Sequence, residues 1–382
     1  MKVLHLIKTT SGATWALKQI EQLIHLGCEV EVILPDNHGL ANSYKEKGAK
    51  VHILNIDFAS LVKKPNLFLR NIYKFRQLLA DINPDIVHSH FVGNTLFMRL
   101  AMTGLSIKKV FQVAGPLHLE KKFTRLLDIK TANQYDYWIP TCKLSEQIYL
   151  SENINKNRLM TTFYGTDVST YKKKDKGTLR EELGLCESIK IVGMVAYAYA
   201  PKKWLGQERG LKGHEDLIDA MEIVAASNPN VKCVIVGGPW VGADKYFKSI
   251  VEYGKKKLGD KIIFLGTRKD VPDLYPDFNI VVHPSHSENL GGAGESLLME
   301  VPTIATNIGG FPDIVKPDVT GWLVPKQNPT VLAQTIIEAL SDEEKASNLA
   351  SEGCKQVKNS LDVRKTSKDV YDFYKIILGE VC

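Results

Sequence analysis

No stretch of this chain approaches the roughly 18 consecutive apolar residues that a membrane-spanning helix needs. The apolar opening from Met1 to Lys8 is too short for the core of a secretory signal, so the expected compartment is the cytoplasm. Cysteine is sparse: Cys28, Cys142, Cys186, Cys233, Cys354 and Cys382 show no Cys-x-x-Cys spacing, which excludes a zinc ribbon and a disulfide scaffold and leaves reduced thiols. The Gly-x-Gly-x-x-Gly fingerprint of dinucleotide dehydrogenases is missing. So is an Asp-x-Asp pair set to chelate a cation, and no metal is expected. Basic residues are not interleaved with aromatics in any nucleic-acid-binding pattern, which excludes nucleic acid as an expected partner. Low-complexity segments are absent too, and 382 residues at 44% hydrophobic and 24% charged leave room for two ordinary globular cores.

What the chain does have is positive charge in its first half. Residues 1–170 hold 21 Lys and Arg against 14 Asp and Glu, a net +7, whereas the remainder nets −1. Within residues 63–130 the balance reaches +8, with Leu67, Leu69, Ile72 and Phe75 interleaved among Arg70, Lys74 and Arg76. Two readings stand: a face that docks on an anionic membrane carrying a lipid-linked acceptor, or a basic surface whose apolar stripe packs inward.

Apolar runs alternate with amphipathic stretches. Lys2–Ile7, Glu29–Leu34, Lys50–Leu54, Asp85–His90, Lys109–Ala114, Asp136–Cys142 and Leu159–Tyr164 read as strands, with helices over Leu67–Ala80 and Asn94–Met102. Such alternation predicts an α/β fold with a parallel sheet covered on both faces, whose ligands bind at the carboxyl ends of the strands. Gly12 and Ala13 fall at that edge. After the charged run Lys172–Gly177, read as a linker over 171–187, strands resume at Lys190–Ala196, Val231–Gly238, Lys261–Gly266, Asn279–His283 and Thr320–Pro325. Helices are expected over Lys245–Lys257, Val271–Pro276, Pro329–Leu340 and Val363–Leu378, with a long polar loop over Tyr197–Leu211.

The segment from His283 to Glu295 (HPSHSENLGGAGE) is polar and glycine-rich, and it lies between a strand and a helix entrance. Helix entrances bind anions through unpaired N–H groups, and Gly291 and Gly292 let a ligand approach the main chain. Glu288 and Glu295 should flank the same crevice, where ionised carboxylates accept sugar hydroxyls. The competing reading is a solvated loop with a capping Glu.

From Glu295 onward the chain reads Glu-Ser-Leu-Leu-Met-Glu-Val-Pro-Thr-Ile-Ala-Thr-Asn-Ile-Gly-Gly-Phe-Pro-Asp-Ile-Val. This resembles the signature of the retaining, GT-B-fold glycosyltransferases of family 4, Glu-Ala-Met-Ala-x-Gly-x-Pro-Val-Val-Ala-x-x-x-Gly-Gly-x-x-Glu-Ile-Val. Pro84-Asp-Ile-Val-His-Ser-His, Tyr164-Gly-Thr-Asp-Val and Lys212-Gly213 also resemble family motifs. Four departures are visible. Glu288 and Glu295 are separated by six residues rather than seven, Glu300 replaces a Gly, Tyr164 replaces an Asn, and Gly193-Met194 stands where relatives carry Gly-Arg.

The resemblance implies two Rossmann-like, doubly wound domains facing a cleft: residues 1–170 binding the acceptor and 188–360 binding the nucleotide-sugar, with 361–382 as a helix crossing back to the first domain. It implies Gly12 and Ala13 near the donor pyrophosphate, Lys212 on the leaving diphosphate, and Glu295 on the ribose. Glu288, with Asn289, Leu290, Gly291 and Gly292, would hold the transferred sugar and phosphates, while Arg268, in the loop Thr267–Val271, would lie over the base. His118 would face a sugar hydroxyl or the reacting centre; Arg209 is either a substitute for the absent arginine or a solvated loop charge. His88 and His90 are either site residues or satisfied polar groups near a strand end. The implied activity is a metal-independent hexosyl transfer with retention, needing no cofactor beyond the nucleotide-sugar co-substrate, to a glycan or lipid-linked acceptor in cell-surface polysaccharide synthesis. The enzyme would be cytoplasmic or peripheral on the inner membrane face. A sugar-nucleotide epimerase of the same fold and a non-catalytic nucleotide-sugar-binding protein are the rivals.

Overall fold

The computed structural model describes residues 1–203 and 206–380, so Trp204 and Leu205 of the expected loop, and Cys382, lie outside the described residues. The chain forms two compact units, Met1–Asp167 joined by the segment from Ser360 onward, and Val168–Asn359.

In the first unit β1 (Lys2–Leu6), β2 (Glu29–Leu34), β3 (Lys50–Ile53), β4 (Ile86–Ser89), β5 (Lys108–Val113) and β6 (Asp136–Pro140) form a parallel sheet of order β3-β2-β1-β4-β5-β6. Side chains alternate across a strand, so β1 feeds two cores at once. Val3 joins the cluster that holds Ile20 and Leu23 of helix Thr14–His25, while Leu4 and Leu6 join Phe75, Leu79 and Phe97 on the opposite face. The helix Val363–Leu378 closes the first of these cores. Its Val370, Phe373, Tyr374 and Ile377 recur at helical spacing and are all buried against β1, β2 and helix Thr14–His25.

In the second unit β7 (Lys190–Val195), β8 (Val231–Val236), β9 (Ile262–Gly266), β10 (Ile280–His283), β11 (Thr303–Thr306) and β12 (Trp322–Val324) pair in the order β12-β11-β10-β7-β8-β9, again all parallel. Strand order reverses between β7 and β10. The loops leaving those two strands therefore diverge and open a crevice at their carboxyl ends.

Two expectations are corrected, and one helix lies where none was expected. Leu159–Tyr164 is not a seventh strand: Met160 and Thr162 donate to β6 carbonyls at 3.2 and 3.1 Å, but a single bridge at Leu159 is the only ladder, and Tyr164 turns in to a buried histidine. Residues 171–187 are not a free linker, because Leu179 is buried and Tyr171, Leu183 and Leu185 pack on the same core of the second unit. Finally, helix Glu343–Ser360 went unexpected in a stretch rich in charge, where only Ala346, Leu349, Ala350, Gly353 and Val357 mark the buried face.

Candidate active site

The crevice between β7 and β10 holds a cavity of about 320 Å³ lined by residues of the second unit. Four strand ends build it: Val195 and Ala196 at the end of β7, Val236 and Gly237 at the end of β8, Thr267 and Arg268 after β9, and Gly291 and Gly292 after β10. Tyr171, Tyr197, Tyr199, Val271, Lys212 and Glu295 complete the wall. Gly237 has φ 130°, and a Cβ there would overlap the carbonyl oxygen of Ala196, so the wall is main chain at close quarters.

The β10 loop is shaped by its glycines. Gly291 has φ 47°, and a Cβ on it would lie 3.1 Å from the Glu288 carboxyl carbon; one on Gly309 would overlap the Glu288 carbonyl oxygen. Asn289 and Leu290 are both buried, and their carbonyls accept the N–H groups of Gly310 and Ala293 at 3.1 Å each, which brace the loop. The helix that follows, Ala293–Leu298, is six residues long, so its dipole is weaker than the expected helix entrance required. The cationic side chains in the wall, among the described residues, are Lys212 and Arg268.

Lys212 stands two residues before the 14-residue helix His214–Ser227, whose N-cap is Gly213. Its Nζ is ion-paired with Glu288 Oε2 and lies 5.7 Å from the centre of the Tyr199 ring, which in turn stacks on Trp240 at 5.3 Å. Arg268 forks onto Glu182 at 2.7 and 2.9 Å and onto Asp270 at 2.8 and 2.6 Å. Those bonds hold the guanidinium above its ordinary pKa and Asp270 down to about 2. Glu295, one turn into the short helix, accepts from Tyr275 Oη at 3.5 Å. Burial first, and this carboxylate second, push the Tyr275 and Tyr171 phenols above their usual range. A carboxylate at the cavity wall, backed by two tyrosines, is a fixed acceptor for ligand hydroxyls.

Two family models cover these halves: that for Glycosyl transferases group 1 matches residues 205–356, and that for Glycosyltransferase Family 4 matches residues 12–169. The chain belongs to glycosyltransferase family 4. It is 27% identical to the capsular polysaccharide biosynthesis glycosyltransferase CapM of Staphylococcus aureus over 99% of this chain and 98% of that one. It is 24% identical to the N-acetyl-α-D-glucosaminyl L-malate synthase of Bacillus anthracis over 86% and 84% of the two chains. Among solved structures, that of Anabaena HepE in complex with UDP-glucose superposes with a TM-score of 0.81 at 20% identity, covering 97% of this chain and 98% of that one. The two doubly wound units are those of the GT-B fold.

In this family 4 glycosyltransferase the expected site residues divide. Lys212, Arg268, Gly291, Gly292 and Glu295 line one cavity, with Glu288 beside them through its ion pair. Arg209 is not in that wall. It is spent on Asp216 and Asp219, at 2.6 and 2.7 Å, which raise its pKa and fix it to the flank of helix His214–Ser227. Met194, at the place of the family arginine, is buried in the core, and the side chains that reach the cavity after β7 are Tyr197 and Tyr199. No spacing signal marks those tyrosines, nor Tyr171, which falls in the expected linker.

Gly12, Ala13 and His118 belong to the first unit. Gly12 and Ala13 are consecutive left-handed residues, φ 69° and 53°, directly before helix Thr14–His25. His118 does not present an open ring: Nε2 lies 3.3 Å from Asp128 Oδ2, and only 10% of the side chain is exposed. Asp128 is the hub of a buried network, accepting from Tyr149 at 2.5 Å, Arg99 at 2.9 Å and Trp138 at 3.3 Å. Arg99 also bonds Asp136, and Lys109 lies 3.3 Å from it, so two cations of the expected basic patch are internal.

His88 and His90 are fully buried with His5, the three rings stacked at centroid spacings of 4.3–5.2 Å and interplanar angles of 15–28°. Tyr164 Oη donates to the Gln112 carbonyl at 3.2 Å, so His90 must donate from Nδ1 to Tyr164, at 2.8 Å, and accept at Nε2 from His5 Nδ1, at 2.9 Å. His88 Nδ1 bonds the hydroxyl of Tyr374 on the C-terminal helix. Near-parallel rings keep their in-plane lone pairs in separate parallel planes, and His90 Nε2 already accepts from His5, so the stack is a poor cage for an ion. Burial holds His5 down to about 3, and burial together with the neighbouring imidazoles holds His88 well below its ordinary value.

Proposed function

We propose that this glycosyltransferase moves a hexosyl residue from a nucleotide-sugar, a UDP-sugar in the first instance, to a glycan or lipid-linked acceptor with retention of configuration. The observation that carries the reading is the cavity at the β7/β10 reversal, where Lys212, two main-chain glycines and Glu295 converge. A diphosphate would lie against Lys212 and the amides of Gly291 and Gly292, with Glu295 accepting the ribose hydroxyls and Glu288 the hydroxyls of the sugar. The base would lie against the Thr267–Val271 loop, whose shape Arg268 fixes through Glu182 and Asp270. Lys212 supplies charge to the departing diphosphate, so the proposed mechanism uses no metal and no cofactor. The leaving phosphate oxygen takes the acceptor proton in a front-face displacement. The UDP-glucose complex of HepE and the capsular polysaccharide role of CapM support the donor class and a place in polysaccharide synthesis.

The acceptor side is assigned to the first unit, working peripherally at the inner face of an anionic membrane. Phe75 is buried and Leu67 and Ile72 pack on the sheet, so most of the expected apolar stripe faces inward. Leu69 and Tyr73 of the same helix remain exposed, 64% and 63%, and Phe123 is 73% exposed beside Lys121 and Lys122. No helix among the described residues is long and apolar enough to cross a membrane.

A thermal-shift screen of UDP-, GDP- and ADP-sugars identifies the donor, and nucleoside diphosphate release is then followed with and without acceptor sugars. Release that needs an acceptor is the expected result. Isomerised donor without acceptor would make the protein an epimerase, and binding without release a sensor. Co-sedimentation with anionic vesicles at low and high salt tests the membrane reading, which fails if the protein ignores them at low salt.

A further inference from the structure

The cations that line the cavity among the described residues, Lys212 and Arg268, are both already paired. Arg268 holds two carboxylates at once. Lys212 holds Glu288, whose second oxygen accepts the N–H of Asn289 at 3.0 Å. A carboxylate gripped by an ammonium on one side and a main-chain N–H on the other sits as a bound anion sits. The loop is fitted to that pose, since any residue larger than glycine at 291 would crowd the Glu288 carboxyl group. Both partners are largely withdrawn from water, at 18% and 15% side-chain exposure, so parting them leaves two poorly solvated charges.

We propose that Glu288 is an internal anion that occupies Lys212 in the empty site, and that exchange of this partner makes the site prefer a nucleotide-sugar to the spent nucleoside diphosphate. The inference rests on the cavity being the donor site. An arriving diphosphate takes Lys212 and turns Glu288 out. When a sugar is attached, the freed carboxylate gains hydroxyl donors in place of the ammonium. When the sugar is gone, it keeps the Asn289 N–H and nothing else, and recapturing Lys212 helps expel the product. Glu288 is then a specificity residue that acts on donor entry and product exit, with no bond made or broken.

The test is Glu288→Gln in the full chain, with UDP and UDP-glucose titrated calorimetrically into it and into the unaltered protein; GDP and ADP pairs serve if the screen selects another base. The amide cannot compete for Lys212, so UDP should bind about tenfold tighter or more, while UDP-glucose gains nothing and the preference for the sugar-bearing ligand collapses. Product inhibition by UDP should deepen in parallel. Glu288→Asp, which keeps the charge but withdraws it by one methylene, should shift UDP in the same direction and guards against a glutamine variant that fails to fold. Unchanged or weaker UDP binding in both variants overturns the exchange while leaving the donor site standing. An unaltered protein that binds no nucleoside diphosphate and no nucleotide-sugar overturns the donor site itself, and the exchange with it.

Discussion

Glu300 occupies a left-handed backbone position, φ 55°, where the family signature has glycine. Its carboxylate reaches Lys173 at 2.9 Å, a half-exposed pair of small worth that does not relieve the backbone. Two substitutions separate these effects because both delete the carboxylate. Glu300→Gly should leave the protein about 1 kcal/mol more stable than Glu300→Ala, read from urea midpoints at equal slope. Equal midpoints would mean that the position carries no strain. Glu295 bears on binding instead. Glu295→Ala should cost roughly 1 to 3 kcal/mol of donor binding, because ribose hydroxyls would be buried without their acceptor. An unchanged donor dissociation constant in calorimetry would remove Glu295 from the site.

At the scale of elements, the histidine stack ties β1 and β4 to the C-terminal helix, and it does so only while neutral. Its folded-state pKa values are depressed, from near 6.5 in an unfolded chain to about 3 for His5, and lower than usual for His88 and His90. The stabilisation is therefore complete above pH 6.5 and lost as pH falls toward 3, since the unfolded chain then binds protons the folded one refuses. Each imidazole contributes a slope of about 1.4 kcal/mol per pH unit near pH 5. Denaturation between pH 7 and 4.5, followed through Trp15 and Trp138 of the first unit, should show that steep loss, and His5→Asn should flatten it by about one proton. Identical slopes would mean the stack is not the acid-labile element. The sequence placed His88 and His90 at the end of a strand, but the stack needs His5 from a neighbouring strand and Tyr374 from nearly the other end of the chain, which no local pattern links. The parallel sheets were legible because buried strands are continuous apolar runs. Lys212, Glu295 and Gly291 were legible through their motifs, whereas Tyr197, Tyr199 and the Arg268 clamp are loop side chains brought together by tertiary packing alone. Arg209 misled for the same reason: its carboxylate partners lie on the following helix.

On the scale of the whole molecule, the two units differ in how the chain supplies them. The second is continuous, Val168–Asn359, and holds every lining residue of the cavity. The first borrows helix Val363–Leu378, whose Val370, Phe373, Tyr374 and Ile377 are worth roughly 1.5–3 kcal/mol each when buried, together comparable to the entire stability of a domain. A chain ended at Asn359 should therefore lose the first unit and keep the second. Limited proteolysis should leave a resistant fragment near residues 168–359 that still binds donor, and a first unit that stays protected would contradict this. That borrowed helix also sets an order of events during synthesis. The ribosome must make roughly 200 further residues after Asp167 before the helix can arrive. At about 5–20 residues per second that is a wait of about 10–40 s. Throughout it the face of β1 and β2 around Val3 and Val32 is covered in part only, by helix Thr14–His25, a natural landing place for chaperones, while the second half of the protein can already be finished.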